Sequence, residues 1–209
     1  ADAWRNVLND FSGTTTQESS LPIQKLALKI NTLDIFDRRI NQLKISNNAD
    51  KDGLRANIQS REISGELQWL NQNNGKLIAR LSNLTVPDAT PNRIKPAVND
   101  SEVKEFNKLE QDYPALDITA DNFEFNKKNF GALELIAYPQ YDNWNIQKLK
   151  LTTPDGAITA EGQWNNWNKN PNTFLNITWD IHNLGRTLKN VGYPDTIQGG
   201  EGTLSGQLQ

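Results

Sequence analysis

Apolar and polar residues alternate along most of this chain. From Leu21 onward the period is two. Leu26, Leu28 and Ile30 come first, then Leu33 and Ile35, Leu43 and Ile45, and Leu54, Ala56 and Ile58. Ile63, Gly65, Leu67 and Trp69 follow, and Leu77, Ala79 and Leu81 close the run. After residue 113 the alternation resumes at Leu116/Ile118/Ala120, Phe123/Phe125, Leu133/Leu135/Ala137 and Trp144/Ile146. It continues through Leu149/Leu151, Ile158/Ala160/Gly162/Trp164 and Leu175/Ile177/Trp179/Ile181. Side chains alternate across a strand, so each segment predicts a strand with one apolar and one polar face. Leu149 and Leu151 fall on the opposite parity to Trp144 and Ile146, which predicts a β-bulge near Gln147–Lys148. Asp52-Gly53, Asn74-Gly75 and Asp155-Gly156 are hairpin signals, because tight turns need the positive φ that glycine and asparagine tolerate. The prediction is an antiparallel meander.

Three segments break the period. Trp4, Val7, Leu8 and Phe11 recur at helical spacing and predict a short helix over 3–11. A second helix is expected over 184–191. Residues 87–113 are proline-punctuated and charged, and read as a polar linker with a short helix around Val103–Leu109. The linker separates two β regions, 21–86 and 114–209, that repeat each other. "LDIFDRRINQLKISNN" from Leu33 lines up with "FEFNKKNFGALELIAY" from Phe123, and "REISGELQW" with "GAITAEGQW". A long period of this kind marks an extendable architecture. The chain starts without methionine and ends within an alternating stretch, so it is expected to be a piece of something longer.

The residue types narrow the chemistry. Cysteine is absent, which removes disulfides and thiolate metal sites. His182 is the single histidine, without a nucleophile nearby, so the usual catalytic triads are not expected. "NNADKDG" (47–53) has early calcium-loop spacings, but Gln59 stands at the bidentate glutamate position and the flanks read as strands. "GGEGTLSG" (199–206) precedes a strand instead of opening a helix, the wrong context for a phosphate loop. The net charge of −3 comes from 22 basic and 25 acidic residues mixed along the chain, with no basic stripe for nucleic acid. No apolar run is long enough to span a bilayer as a helix. Enzymatic activity, metals and cofactors are not expected.

What remains is the apolar face. Covered by a second sheet, it would be the core of a closed sandwich with a structural or protein-docking role. Curled into an open trough, it would cradle acyl chains. Exposed tryptophans could instead serve as a sugar platform, and Trp167, in the polar loop "NNWNKNPN", is the best candidate. Trp4, Trp69, Trp144, Trp164 and Trp179 fall on apolar positions of their own elements. Periodicity alone does not choose among the three.

The second half carries a resemblance. A "PALD" strand, a "GALEL" strand and the hairpin "WNIQKLKLTTPDG" lead to the strand end "GQW". The passage "LGRTLKNVGYPDTIQGGEGTLSG" follows. In this order, between Tyr113 and Gln209, they resemble the C-terminal part of YhdP-type proteins of the AsmA-like superfamily. Residues 1–86 share only its general character. The resemblance implies a repeating β-groove in the periplasm, belonging to a parent anchored in the inner membrane of a Gram-negative bacterium. It further implies phospholipid transport along the groove toward the outer membrane. Acyl chains, neighbouring repeats of the same parent and an envelope protein would be the partners. The expected fold is all-β, a strongly twisted antiparallel sheet curled into an open hydrophobic groove with a few short helices. Expected lipid-binding residues are Leu67, Trp69, Leu116, Ile118, Phe123, Phe125, Leu133, Leu135, Ile158, Trp164, Ile177 and Trp179.

Overall fold

The computed structural model describes residues 25–35, 38–50, 53–71, 75–88, 114–140, 143–165, 172–190, 192–193 and 197–208. The expected helices over 3–11 and 103–109, together with Trp4 and Trp167, lie outside these residues. Strands β1 (Lys25–Ile35), β2 (Arg38–Asp50), β3 (Gly53–Gln59), β4 (Ile63–Leu70) and β5 (Lys76–Val86) form a first antiparallel run. A second contains β6 (Ala115–Phe125), β7 (Lys128–Gln140), β8 (Asn143–Thr153), β9 (Gly156–Asn165), β10 (Asn172–Ile181) and β11 (Gly202–Leu208). Helix α1 (Leu184–Asn190) joins β10 to β11.

All eleven strands of the described residues belong to one sheet, in strict chain order from β1 to β11. Its two end strands do not pair with each other, so the sheet is open. One junction departs from the meander: β5 and β6 are parallel, from Lys76↔Ala115 to Val86↔Phe125. Antiparallel neighbours can be joined by two residues, whereas parallel neighbours need a crossover of a dozen or more. The segment 87–114 supplies that length. It therefore sets strand polarity in the middle of the sheet, beyond spacing two halves apart.

The sheet is curled. With no second sheet among the described residues, a flat single layer would leave its apolar side chains half exposed. Yet Leu43 and Ala79 are each only 2% exposed and Ala137 1%. Leu43 and Ala79 belong to one cluster with Ile58, Leu81, Ala120 and Leu133, against which Ile30, Leu33, Ile40, Leu67, Ile118 and Phe123 pack. Curvature comes from a line of irregularities crossing the strands at similar height. Gln42 in β2 has φ 55°, Ser82 in β5 interrupts the pairing with β4, and Asp121–Asn122 bulge out of β6. Because of the kink in β2, Ile30 and Leu33 reach the same cluster despite opposite parity.

Side-chain hydrogen bonds run along the bend. Glu62, buried in the β3–β4 turn, accepts from the Asn41 backbone N–H (2.9 Å) and from Asn41 Nδ2 (2.8 Å). The Glu62 carbonyl accepts from Thr85 N (2.7 Å) and Asn83 Nδ2 (3.2 Å). Asn122 Nδ2 donates to Asn83 (2.9 Å), and Asn129 Nδ2 to Asn122 (2.5 Å). The short β3–β4 turn thus acts as a filler over which the β1–β2 hairpin leans. At the far end of this lean, Arg38 donates to the Pro87 carbonyl and sits 5.9 Å from the centre of the Phe125 ring. In a flat sheet β2 and β6 would stand about 19 Å apart, four strand spacings.

Candidate functional site: an open apolar face

Cross-strand partners in a sheet point to the same side, so the register can be followed from edge to edge. One row runs Leu28–Ile45–Ile58–Gly65–Leu81–Ala120–Leu133–Leu151–Ile158–Trp179–Leu204. It crosses all eleven strands without a polar residue. The next row is Asn47–Ala56–Leu67–Ala79–Ile118–Leu135–Leu149–Ala160–Ile177–Gly206, from β2 to β11. A third is Leu54–Trp69–Leu77–Leu116–Ala137–Ile146–Gly162–Leu175–Leu208. Ten spacings of ~4.8 Å make the first row roughly 48 Å long.

Ten of the twelve expected lipid-contact residues fall on these three rows or directly continue them. Leu67, Trp69, Leu116, Ile118, Leu133, Leu135, Ile158, Ile177 and Trp179 are row members. Trp164 pairs with Trp144 beyond the third row, with ring centres 5.7 Å apart and planes tilted by 41°. Phe123 and Phe125 lie past the bend instead. Phe123 packs against the core cluster and stands 6.1 Å from Phe130, while Phe125 is exposed beneath the Arg38 guanidinium. The row members Leu77, Ala79, Leu81, Leu149, Leu151 and Leu204 share the period used to choose the others, so the same signal could have added them.

Two glycines keep the rows continuous. Gly65 and Gly162 have φ of +145° and +151°, a region L side chains rarely adopt. A Cβ on Gly65 would stand 2.6 Å from Leu81 Cα, and one on Gly162 3.0 Å from Leu175 Cα. Neighbouring strands therefore close in where the wall would otherwise carry a side chain. At the bulge expected near Gln147–Lys148, the pairing of β8 with β9 skips from Ile146 to Leu149, keeping Ile146 and Leu149 on one face.

The opposite face is mostly polar, although Ile78 and Ile136 flank Asp117 on it. Arg80 Nη2 and Lys76 Nζ meet the Asp117 carboxylate at 2.7 and 3.3 Å, and Lys148 Nζ meets Glu134 at 2.5 Å. Burial raises the Asp117 pKa, but hydrogen bonds from Arg80 and Lys76 outweigh it, and the net shift is downward. The hydrogen bond from Lys148 likewise lowers Glu134. A depression of about 520 Å³ on this side is bordered by Arg55, Asn57, Glu66, Gln68 and Arg80. Ile78, and Ala56 and Leu67 of the second row, line it as well.

The β10–β11 crossover explains the glycine-rich passage. Leu184 N and Gly185 N donate to the carbonyls of Gly200 (2.8 Å) and Gly199 (2.9 Å), so the loop after α1 folds back on its first turn. Asp155, buried in the β8–β9 turn, receives Arg186 Nε on Oδ1 at 2.6 Å. Its carbonyl accepts from His182 N and Asn183 N. The His182 side chain is exposed. Among the described residues, no three His, Cys, Asp or Glu side chains gather as a metal site would need, and no helix is long and apolar enough to cross a membrane.

No curated protein and no solved structure matches the chain. The family model described as "YhdP protein" matches residues 1–209, extending over the first half as well as the motif-bearing second half. The chain belongs to the YhdP family.

Proposed function

We propose that this chain is part of a lipid-transport protein that carries phospholipid along the concave apolar face, in the periplasm, between inner and outer membranes. The observation that supports this reading best is the first row, apolar or glycine on eleven consecutive strands of a sheet with no covering layer among the described residues. An apolar surface of that length without a polar partner would be a liability on a protein that binds nothing. Acyl chains would be held by burial alone, at about 0.8 kcal/mol per methylene. Such holding lacks direction, so a chain can slide along the row from one strand to the next. Family membership supports the same reading, which requires no catalytic group. The parent would be anchored in the inner membrane, and neighbouring repeats would continue the rows. A further envelope protein would receive or deliver the lipid. A closed sandwich is not supported, because the strands form a single open sheet.

Native mass spectrometry with lipid extraction, on protein purified gently from bacterial cells, tests the proposal. Wild-type protein should carry phospholipid. Ile177→Asp, a change at a half-buried row position near the open end, should lose it while the sheet stays folded. Trp167→Ala should retain it. Lipid-free wild-type protein, or loss of ligand only in Trp167→Ala, would contradict the proposal, and the second result would favour a sugar platform.

A further inference from the structure

The second row contains one exception to its apolar character. Asn47 in β2 pairs with Leu26 on one side and Ala56 on the other, so its side chain belongs to the concave face. It is 8% exposed, and its Oδ1 is shut off from solvent without a hydrogen-bond partner among the described residues. Every described residue that follows it in the row, from Ala56 to Gly206, is apolar or glycine. A buried carboxamide oxygen left unpaired is costly, and an apolar side chain of similar size would remove that cost. The amide is therefore not explained by folding stability.

We infer that Asn47 is a hydrogen-bonding position within the groove, at which Oδ1 accepts from a hydroxyl or amine carried close to the acyl chain of a bound amphiphile. The inference rests on the lipid-binding reading and adds a fixed polar contact to it. The fold has already stripped water from the oxygen, so a ligand donor gains a hydrogen bond without further desolvation of the protein side. An acyl chain entering the groove displaces the side chains that shield the oxygen. The hydrocarbon of one leaflet is about 15 Å deep, or roughly three strand spacings. A chain whose donor sits at Asn47 would thus lie over Ala56, Leu67 and Ala79. Among the described residues, no other member of these rows has a buried, unpaired polar atom, so lipid would pause near β2 and slide elsewhere.

The test compares two amphiphiles with the same acyl chain. Monomyristoylglycerol carries hydroxyl donors, whereas methyl myristate has an ester acceptor and no donor. Binding of each to the full chain is followed by tryptophan fluorescence, for wild type, Asn47→Leu and Asn47→Ala. Wild type should prefer the monoacylglycerol about tenfold, the effect of one hydrogen bond. Both variants should lose the preference and keep the affinity for methyl myristate. Asn47→Ala carries the comparison if the larger leucine disturbs β2, and thermal unfolding checks that each variant is folded. A wild type without preference, or folded variants that retain it, would overturn the role of Asn47 while leaving lipid binding intact. A wild type that binds neither amphiphile would overturn both.

Discussion

The same apolar face is treated differently at its two ends. Between β2 and β7 it curls on itself, and Leu43, Leu81, Ala120 and Leu133 are buried although no second layer covers them among the described residues. At β11 the same rows end in Leu204 and Leu208, 60% and 51% exposed. The difference does not lie in hydrophobicity, since leucine occupies both places. It lies in the bend and in the edge, since β11 has a strand on one side only and Leu28 in the other edge strand is likewise 39% exposed. Strands β2, β5 and β6 carry a kink or bulge at matching height and are tied together through Glu62 and asparagines, whereas the β10–β11 ladder is uninterrupted from Leu175↔Leu208 to Ile181↔Gly202. Local curvature and edge position decide whether a row is core or surface, and one continuous stripe can be both.

The curled and open regions should respond differently to mutation. Leu43→Ala should destabilise the protein by about 2–5 kcal/mol, the usual cost of emptying a buried leucine site. Leu204→Ala, the same chemical change on the same face, should stay within about 0.5 kcal/mol. Urea unfolding of the two variants measures this directly, and equal losses would mean that the curled and open regions are not distinct.

A smaller loss should come from the bend itself. Glu62→Ala leaves the Asn41 N–H and amide without their acceptor in a buried turn, at a cost of about 1–3 kcal/mol. Hydrogen exchange should then quicken in β1 and β2 before it does in β8–β10. Uniform quickening would show that Glu62 does not tie the β1–β2 hairpin down.

The smallest effect belongs to the convex face. The Asp117 carboxyl is held below its ordinary value by Arg80 and Lys76. A group whose folded pKa is depressed stabilises above its unfolded pKa, near 3.9, and that contribution disappears as pH falls through the lower folded value. Stability should therefore decline slightly below about pH 4, and Asp117→Asn should flatten that decline. An unchanged pH profile in the variant would mean that solvent screens the pair.

Much of this architecture was legible in the sequence, because strand periodicity and sheet register are the same fact viewed locally and globally. Leu116, Ile118, Leu133 and Leu135 could be assigned to one face before any pairing was known. The bulge at Gln147–Lys148 was visible as a parity slip, and α1 fell within one residue of its expected end. Other features depended on partners distant in sequence. Parity changes also separate Ile30 from Leu33 and Ala120 from Phe123, but they resemble strand ends, and only the pairing shows that each lies within a single strand. The parallel β5–β6 junction depends on where the 87–114 connection returns the chain, which alternation does not encode. Glu62 and Asn41, 21 residues apart, look like ordinary surface residues until the hairpin leans over the turn. Asn47 was concealed differently: it continues the parity of Leu43 and Ile45, but in "KISNNAD" it reads as the start of a turn, and its pairing with Ala56 shows that the strand still runs there.

If lipid meets one face of the sheet and not the other, alternation within a single strand should reveal it directly. A photo-crosslinking amino acid placed at Ile177, and separately at its neighbour Thr178, should be irradiated in living cells and the adducts analysed for phospholipid. Adducts are expected at 177 and not at 178, with the same contrast between Ile118 and Thr119 in β6. Equal labelling of both faces, or labelling confined to 119 and 178, would contradict one-sided contact.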